Sequence, residues 1–264
     1  MQPQKISPCC LTIAGSDSGG NAGVQADLRA FHTYGLHGCT VFAALTAQNP
    51  FTVSAILPVP TDFISAQLDA VLGVYNIRAL KTGMLSDPAS IALIADRLSA
   101  HPEIAKVIDP VMIATSGAKL VGPETISAIE SRLLPLATLI TPNLPEAETL
   151  AGRSLPPHDL AHAIFDRFGS AVLVKGGHCS SSAAIDVLYD GHEFSEFSAP
   201  WLPNPISTHG TGCSLAAALA AELALGHSLK DAVSGAKSYV HRAIATSYFV
   251  GHDCGVLGFV KDGK

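Results

Sequence analysis

Short apolar runs alternate with longer stretches of helical periodicity along almost the whole chain. That alternation leaves few folds open. Strands buried on both faces of a parallel sheet read as continuous apolar runs, and successive parallel strands need a crossover between them, usually a helix. The runs at 11–14, 40–44, 79–81, 106–108, 138–141 and 171–175 read as strands, each followed by turn residues. The stretches 22–34, 62–72, 88–98, 124–133 and 159–168 read as helices. Asp87 before Pro88 has the form of an N-cap followed by proline at the first helical position. The run 185–189, then Asp190-Gly191, then 192–197, reads as an antiparallel hairpin with a type I′ turn. The expected fold is α/β, an open and mostly parallel sheet with helices on both faces and one small antiparallel hairpin. No repeat, low-complexity linker or charge block divides the sequence, so residues 1–264 are expected to form one domain.

Composition narrows the function. With 48% hydrophobic and 14% charged residues, 264 residues can bury a large core. A formal charge of −6 and sixteen scattered basic residues argue against a nucleic-acid surface. The apolar stretch 215–225 is too short to cross a bilayer and is interrupted by Glu222. Residues 1–10 lack the basic head and apolar run of a secretory signal. Six cysteines, at 9, 10, 39, 179, 213 and 254, form no C-x-x-C pair. Neither a disulfide framework nor a zinc site is expected, and a reducing cytoplasm fits.

In an open α/β sheet, ligands bind beyond the carboxyl ends of the strands, and the unusual residues fall there. Gly15-Ser16-Asp17-Ser18-Gly19-Gly20-Asn21-Ala22-Gly23 follows the first strand, and its four glycines let backbone turn sharply or approach a ligand. It matches neither a dinucleotide fingerprint nor a Walker loop. Thr208-His209-Gly210-Thr211-Gly212-Cys213 runs into an Ala-rich helix, whose first N–H groups make an anion site suited to a transferring phosphoryl group. Cys213 in that first turn is expected to have a lowered thiol pKa and to accept a proton from an attacking alcohol; its ordinary alternative is a small buried cysteine. His209 is either a surface residue or a phosphate contact.

Thr141-Pro142-Asn143-Leu144-Pro145-Glu146 reads equally as a relative of the capping box and as the place where Glu146 meets a hydrated Mg²⁺ on a triphosphate. Asp109, at another strand end, is a second carboxylate for that region, and Lys175 offers a point charge to a phosphate; both also read as ordinary turn residues. The Gln48 amide complements the donor–acceptor edge of an aminopyrimidine, if it is more than a solvated loop residue. Met84 is suited to cover an aromatic face, or to fill the core.

Taken in order, AGSDSGGNAGVQADL, ALTAQN, KTGML, IDPVM, TPNLPEAE, VLVKGGH and THGTGC resemble the hydroxymethylpyrimidine/phosphomethylpyrimidine kinases of thiamine biosynthesis, within the ribokinase-like superfamily. The resemblance runs from about Leu11 to Tyr248. It implies a three-layer α/β/α sandwich without a separate lid domain, a homodimer, and dependence on ATP and Mg²⁺. It implies two successive phosphorylations, of the pyrimidine alcohol and then of its monophosphate. The implied substrate set is Gly15, Ala22, Asp27, Gln48, Met84 and Val111. Cys213 takes the catalytic position, with Gly210, Thr211 and Gly212 forming the anion site. Lys175, Asn143 and Thr208 fall on the ATP side, and Glu146 and Asp109 near the metal.

Two positions depart from the family pattern. Asn21 replaces a third consecutive glycine, and Thr115-Ser116-Gly117 stands where Lys-Ser-Gly is common, which removes a phosphate contact and bears on the second phosphorylation. The rival readings are a pyridoxal-type or dual-specificity kinase on the same fold, a ribokinase-like sugar kinase, and a non-catalytic ligand sensor. Cysteine in place of aspartate and the missing lid argue against the sugar kinase, and the intact anion site against the sensor.

Overall fold

In the computed structural model, which describes residues 6–112, 121–177 and 183–259, nine strands form one sheet in the order β3-β2-β1-β4-β5-β6-β7-β8-β9. Strand β1 (Cys9–Asp17) pairs in parallel with β2 (His37–Asn49) on one side and β4 (Ile77–Thr82) on the other. Then follow β5 (Ala105–Ile108), β6 (Leu139–Ile140) and β7 (Ala171–Val174), all parallel. Alternation along these short strands divides their side chains between two cores. Leu11, Ile13, Leu80, Ile108, Ile140, Val172 and Val174 face one core. Cys10, Ala79, Val107, Leu139 and Leu173 face the other.

Helices cover each face. Against the first core lie α2 (Thr61–Leu72), α3 (Pro88–Ser99), α5 (Leu144–Ala151) and α6 (Pro157–Phe168), with α4 (Pro123–Ala128) running into a π-helical turn at Ile129–Leu133. Against the second lie α1 (Gly23–Thr33), α7 (Thr211–Ala224) and α8 (Leu229–Ala245). Ten of the fourteen residues of α7 are buried, and its alanines let it sit close against the sheet and α8. Asp87 caps α3 as expected, its side chain accepting the Ser90 N–H at 2.9 Å; such a cap stabilises by about 1 kcal/mol.

The edges hold what periodicity alone did not resolve. Strand β2 runs through residue 49 and pairs antiparallel with β3 (Thr52–Pro58), so antiparallel pairing occurs at both ends of the sheet. The expected hairpin is present as β8 (Ala183–Tyr189) and β9 (Phe194–Pro200), and β8 pairs with β7. Its turn is not the two-residue type I′ form. Tyr189 faces Phe194 across a four-residue connection, within which Asp190 accepts the N–H groups of His192 and Glu193. That local carboxylate bonding outcompetes the tighter turn. A separate two-stranded ribbon pairs β10 (Tyr248–Gly251) with β11 (Cys254–Val256). Thr115-Ser116-Gly117 lies outside the described residues. No described helix is long and apolar enough to cross a membrane.

Candidate active site

A cavity of about 650 Å³ opens at the carboxyl ends of the parallel strands. All but one of the residues singled out above line it: Gly15, Ala22, Gln48, Met84, Asp109, Val111, Asn143, Glu146, Lys175, Thr208, Gly210, Thr211, Gly212 and Cys213.

Asp27 is the exception. It is fully buried beneath the site, where Lys81 Nζ contacts its two oxygens at 3.0 and 2.9 Å and the Thr12 hydroxyl donates at 2.6 Å. Fully buried, absent from the cavity lining and already bonded to Lys81 and Thr12, Asp27 is placed in a supporting ion pair rather than at the expected direct substrate contact. Lys81 is fully buried too; burial opposes its charge, but Asp27, with Cys213 and Asp109 behind it, outweighs that and raises its pKa. Gly83 makes room for this ammonium, since a Cβ there would lie 2.7 Å from Lys81 Nζ.

The glycine-rich loop folds around a carboxylate. Asp17 is buried and accepts the N–H groups of Gly19, Asn21 and Ala22 at 2.8–2.9 Å. The loop so formed packs on the start of α7. Gly210, at φ 85°, caps that helix, and a Cβ on it would lie 1.9 Å from the Asn21 carbonyl oxygen. Asn21 therefore joins the loop to the anion site through its backbone, a contact that survives its departure from glycine. Gly210, Thr211, Gly212 and Cys213 line the cavity at this helix start, where first-turn N–H groups lack intrahelical partners and suit an anion. His209 beside it is buried, with both ring nitrogens unpartnered and Nε2 3.9 Å from Asp17 Oδ2. Burial lowers its pKa, with Asp17 opposing in part.

Cys213 carries a correction. Burial raises its thiol pKa, Lys81 pulls it down, and Asp27 and Asp109 push it up again. Desolvation and the two carboxylates outweigh Lys81 and a hydrogen bond from the Gly23 backbone, so the thiol form is favoured, contrary to the thiolate expected from its position.

On the opposite wall, Asn143 and Glu146 form a full capping box at the start of α5. Glu146 Oε2 accepts the Asn143 N–H at 2.8 Å, and Asn143 Oδ1 accepts the Glu146 N–H at 2.9 Å. The capping reading is thus realised while the same carboxylate lines the cavity. Burial raises the Glu146 pKa, Lys175 lowers it, and Asp109 raises it further. Lys175 Nζ meets Asp109 Oδ1 at 2.9 Å, and Thr141 donates to the same oxygen at 3.1 Å. Burial works against the Lys175 ammonium, yet Asp109 and Glu146 raise its pKa and keep it charged.

No cluster of three or more His, Cys, Asp or Glu side chains able to cage a metal occurs among the described residues. Two carboxylates in one cavity suit Mg²⁺ nonetheless, since it keeps waters and binds through one or two carboxylates plus substrate phosphates.

Gln48 sits within β2 rather than in a loop after it. Ser18 clasps its backbone, donating to the carbonyl and accepting the N–H, both at 2.8 Å. The Thr46 hydroxyl donates to the Ser16 carbonyl at 2.8 Å and lies 3.3 Å from Gln48 Oε1, and Gln48 lines the cavity. Gly15 admits the Met84 methyl, which a Cβ would meet at 2.7 Å. Trp201, Pro205, Val240 and Ile244 also line the cavity and belong to no motif legible in the sequence. Asp17 was also missed as a functional group; its only signal was an acidic residue directly before Ser-Gly-Gly.

Comparison with known proteins completes the description. The family model for phosphomethylpyrimidine kinase matches residues 17–258. A hydroxymethylpyrimidine/phosphomethylpyrimidine kinase of Rhizobium meliloti is 45% identical over 247 residues, 92% of each chain. An ADP complex of Bacillus subtilis pyridoxal kinase superposes with a TM-score of 0.88 at 35% identity, covering 97% of this chain and 98% of the other. A phosphomethylpyrimidine kinase structure from Clostridium difficile gives 0.79 at 38% identity, covering 91% of this chain and all of the other.

Proposed function

The chain belongs to the phosphomethylpyrimidine kinase family and is a phosphotransferase, and from that premise we propose that it uses ATP to phosphorylate 4-amino-5-hydroxymethyl-2-methylpyrimidine and then the resulting monophosphate, in thiamine biosynthesis. The observation that carries this is one of placement. Gln48 and Met84, suited to a flat aminopyrimidine, share a cavity with the Gly210–Cys213 start of α7, suited to a phosphoryl group in transit.

In the first step the alcohol oxygen bonds to the γ-phosphorus while the bond to the leaving ADP breaks. The α7 N–H groups take up charge on the transferring oxygens. The alcohol proton passes to Cys213 in its thiolate form, the minority form near neutral pH. Lys175 meets the polyphosphate as a point charge, with Asn143 and Thr208 nearby. Asp109 and Glu146 are the residues that would hold Mg²⁺, whose part is to neutralise phosphate charge.

The enzyme is read as cytoplasmic and as a homodimer. Support for the dimer comes from the uncharged edge strand β3, where Leu57 is 60% exposed or more, as are Phe51 and Phe63, which flank the strand in sequence. Sedimentation should give twice the chain mass.

The decisive assay supplies ATP and the pyrimidine alcohol and separates mono- from diphosphate. Both products are expected in sequence, and no ADP formation with this alcohol sinks the proposal. A second reading, phosphorylation of pyridoxine-type alcohols at the same site, is favoured by the likeness to pyridoxal kinase. Steady-state comparison of the two alcohols separates them, and the pyrimidine is expected to have the higher kcat/KM.

A further inference from the structure

One buried ion pair lining the cavity takes part in no step described so far. Asp186, on β8, is 5% exposed, and both of its oxygens are engaged. Oδ1 accepts the Gly176 N–H at 2.8 Å, and Oδ2 accepts Lys237 Nζ, from α8, at 2.7 Å. Gly176 follows Lys175 and touches β8 so closely that a Cβ would lie 1.7 Å from the Ile185 carbonyl oxygen. On its other side, the Lys175 N–H donates to the Pro142 carbonyl at 2.9 Å, and its ammonium pairs with Asp109. The turn that presents Lys175 is therefore held from three directions, and Asp186 is the hold on the β8 side. Asp186 and Lys237 both line the cavity themselves.

We infer that Asp186 and Lys237 are positioning residues for the nucleotide: together they fix the Gly176–Gly177 turn, and with it Lys175, where the ATP polyphosphate is received. The inference rests on the role proposed above for Lys175. The pair is needed as a pair. A carboxylate this buried beside a polyanion site repels the polyanion unless its charge is compensated, and Lys237 compensates it. Loss of Lys237 alone leaves that charge exposed to the phosphates, whereas neutralising both members removes the repulsion.

The test uses the full chain with Lys237→Met, Asp186→Asn, Asp186→Ala and the double variant Asp186→Asn/Lys237→Met. Lys175→Met serves as reference, and thermal melts establish folding. KM is measured separately for ATP and for the pyrimidine alcohol, and ADP affinity by calorimetry. Lys237→Met is expected to raise the ATP KM about tenfold and weaken ADP similarly, with the alcohol KM within about twofold. The double variant should recover most of that loss, because its amide still accepts from Gly176. Asp186→Ala should lose nucleotide affinity without recovery; if it does not fold, Lys237→Met and the double variant carry the test. Equal rises in both KM values, a loss confined to kcat, or no recovery in the double variant would overturn the inference. If Lys175→Met leaves the ATP KM unchanged, the reading of Lys175 fails and takes this one with it. If Lys175→Met raises the ATP KM while the Asp186 and Lys237 variants do not, this inference alone fails.

Discussion

Cys213 shows how one side chain can be placed correctly and charged wrongly by local reasoning. Its position at the first turn of α7 follows from the Gly-Thr-Gly run before it, but its protonation depends on Asp27 and Asp109, 186 and 104 residues away in sequence. Because burial and those carboxylates raise the thiol pKa, alkylation of Cys213 should be slow at pH 7. It should accelerate only above the ordinary thiol range of about 8.5, measured against Cys213→Ala. The first phosphorylation should speed up over the same rise in pH. The second step differs chemically, since its acceptor is a phosphate oxygen already largely deprotonated and needs no base. Cys213→Ala should therefore cut kcat about 100-fold or more for the alcohol and distinctly less for the monophosphate, with ADP affinity retained in calorimetry. Equal losses in both steps would deny Cys213 the role of base. Gln48→Ala should raise the alcohol KM about tenfold and leave the ATP KM nearly unchanged.

Among the elements, the contact between the glycine-rich loop and the start of α7 is the most exacting. Gly210 has a positive φ and a carbonyl oxygen 1.9 Å from where a Cβ would stand. Gly210→Ala must move either the loop or the helix end, displacing the anion site by ångström fractions that matter for catalysis. A kcat loss of about 100-fold with a smaller loss of melting temperature is expected, read from kinetics and thermal melts on the same preparation. The central elements were legible in the sequence because β1, β4, β5, β6 and β7 are short, mostly apolar runs followed by turn residues. The far half of β2 was not. From Leu45 to Asn49 it alternates between exposed and half-buried residues beside the edge strand β3, so its signal is weakly apolar and Gln48 read as part of a loop. At the hairpin, Asp190 uses its carboxylate to build a wider turn than the Asp-Gly pair implies.

The molecule as a whole carries its buried acids in a way that sets its response to pH. Burial, with Cys9 and Cys39 nearby, pushes the Cys10 thiol up to about 12; burial with Cys9 pushes Cys39 up to about 11. Burial, aided by Glu222, also raises Tyr34. Such groups lose protons more readily in the unfolded chain. Their contribution to stability is complete below about pH 8.5 and is lost as pH rises through the folded values. The melting temperature should fall steeply between pH 9 and 11, and Cys10→Ala should flatten that slope even if it lowers stability at pH 7. A slope unchanged by that substitution would remove Cys10 from the account.

The sequence by itself determined the α/β alternation, the glycine turn before α7, the cap of α3 and fourteen of the residues that line the cavity. These depend on spacing and side-chain type within one segment. Only the tertiary structure decided that Asp27 serves Lys81 rather than a ligand, that burial raises the Cys213 thiol pKa, and that Asp186 reaches Gly176 and Lys237 together. Charge and solvation are set by groups that meet through the sheet, and local spacing does not report which distant segments fold against one another.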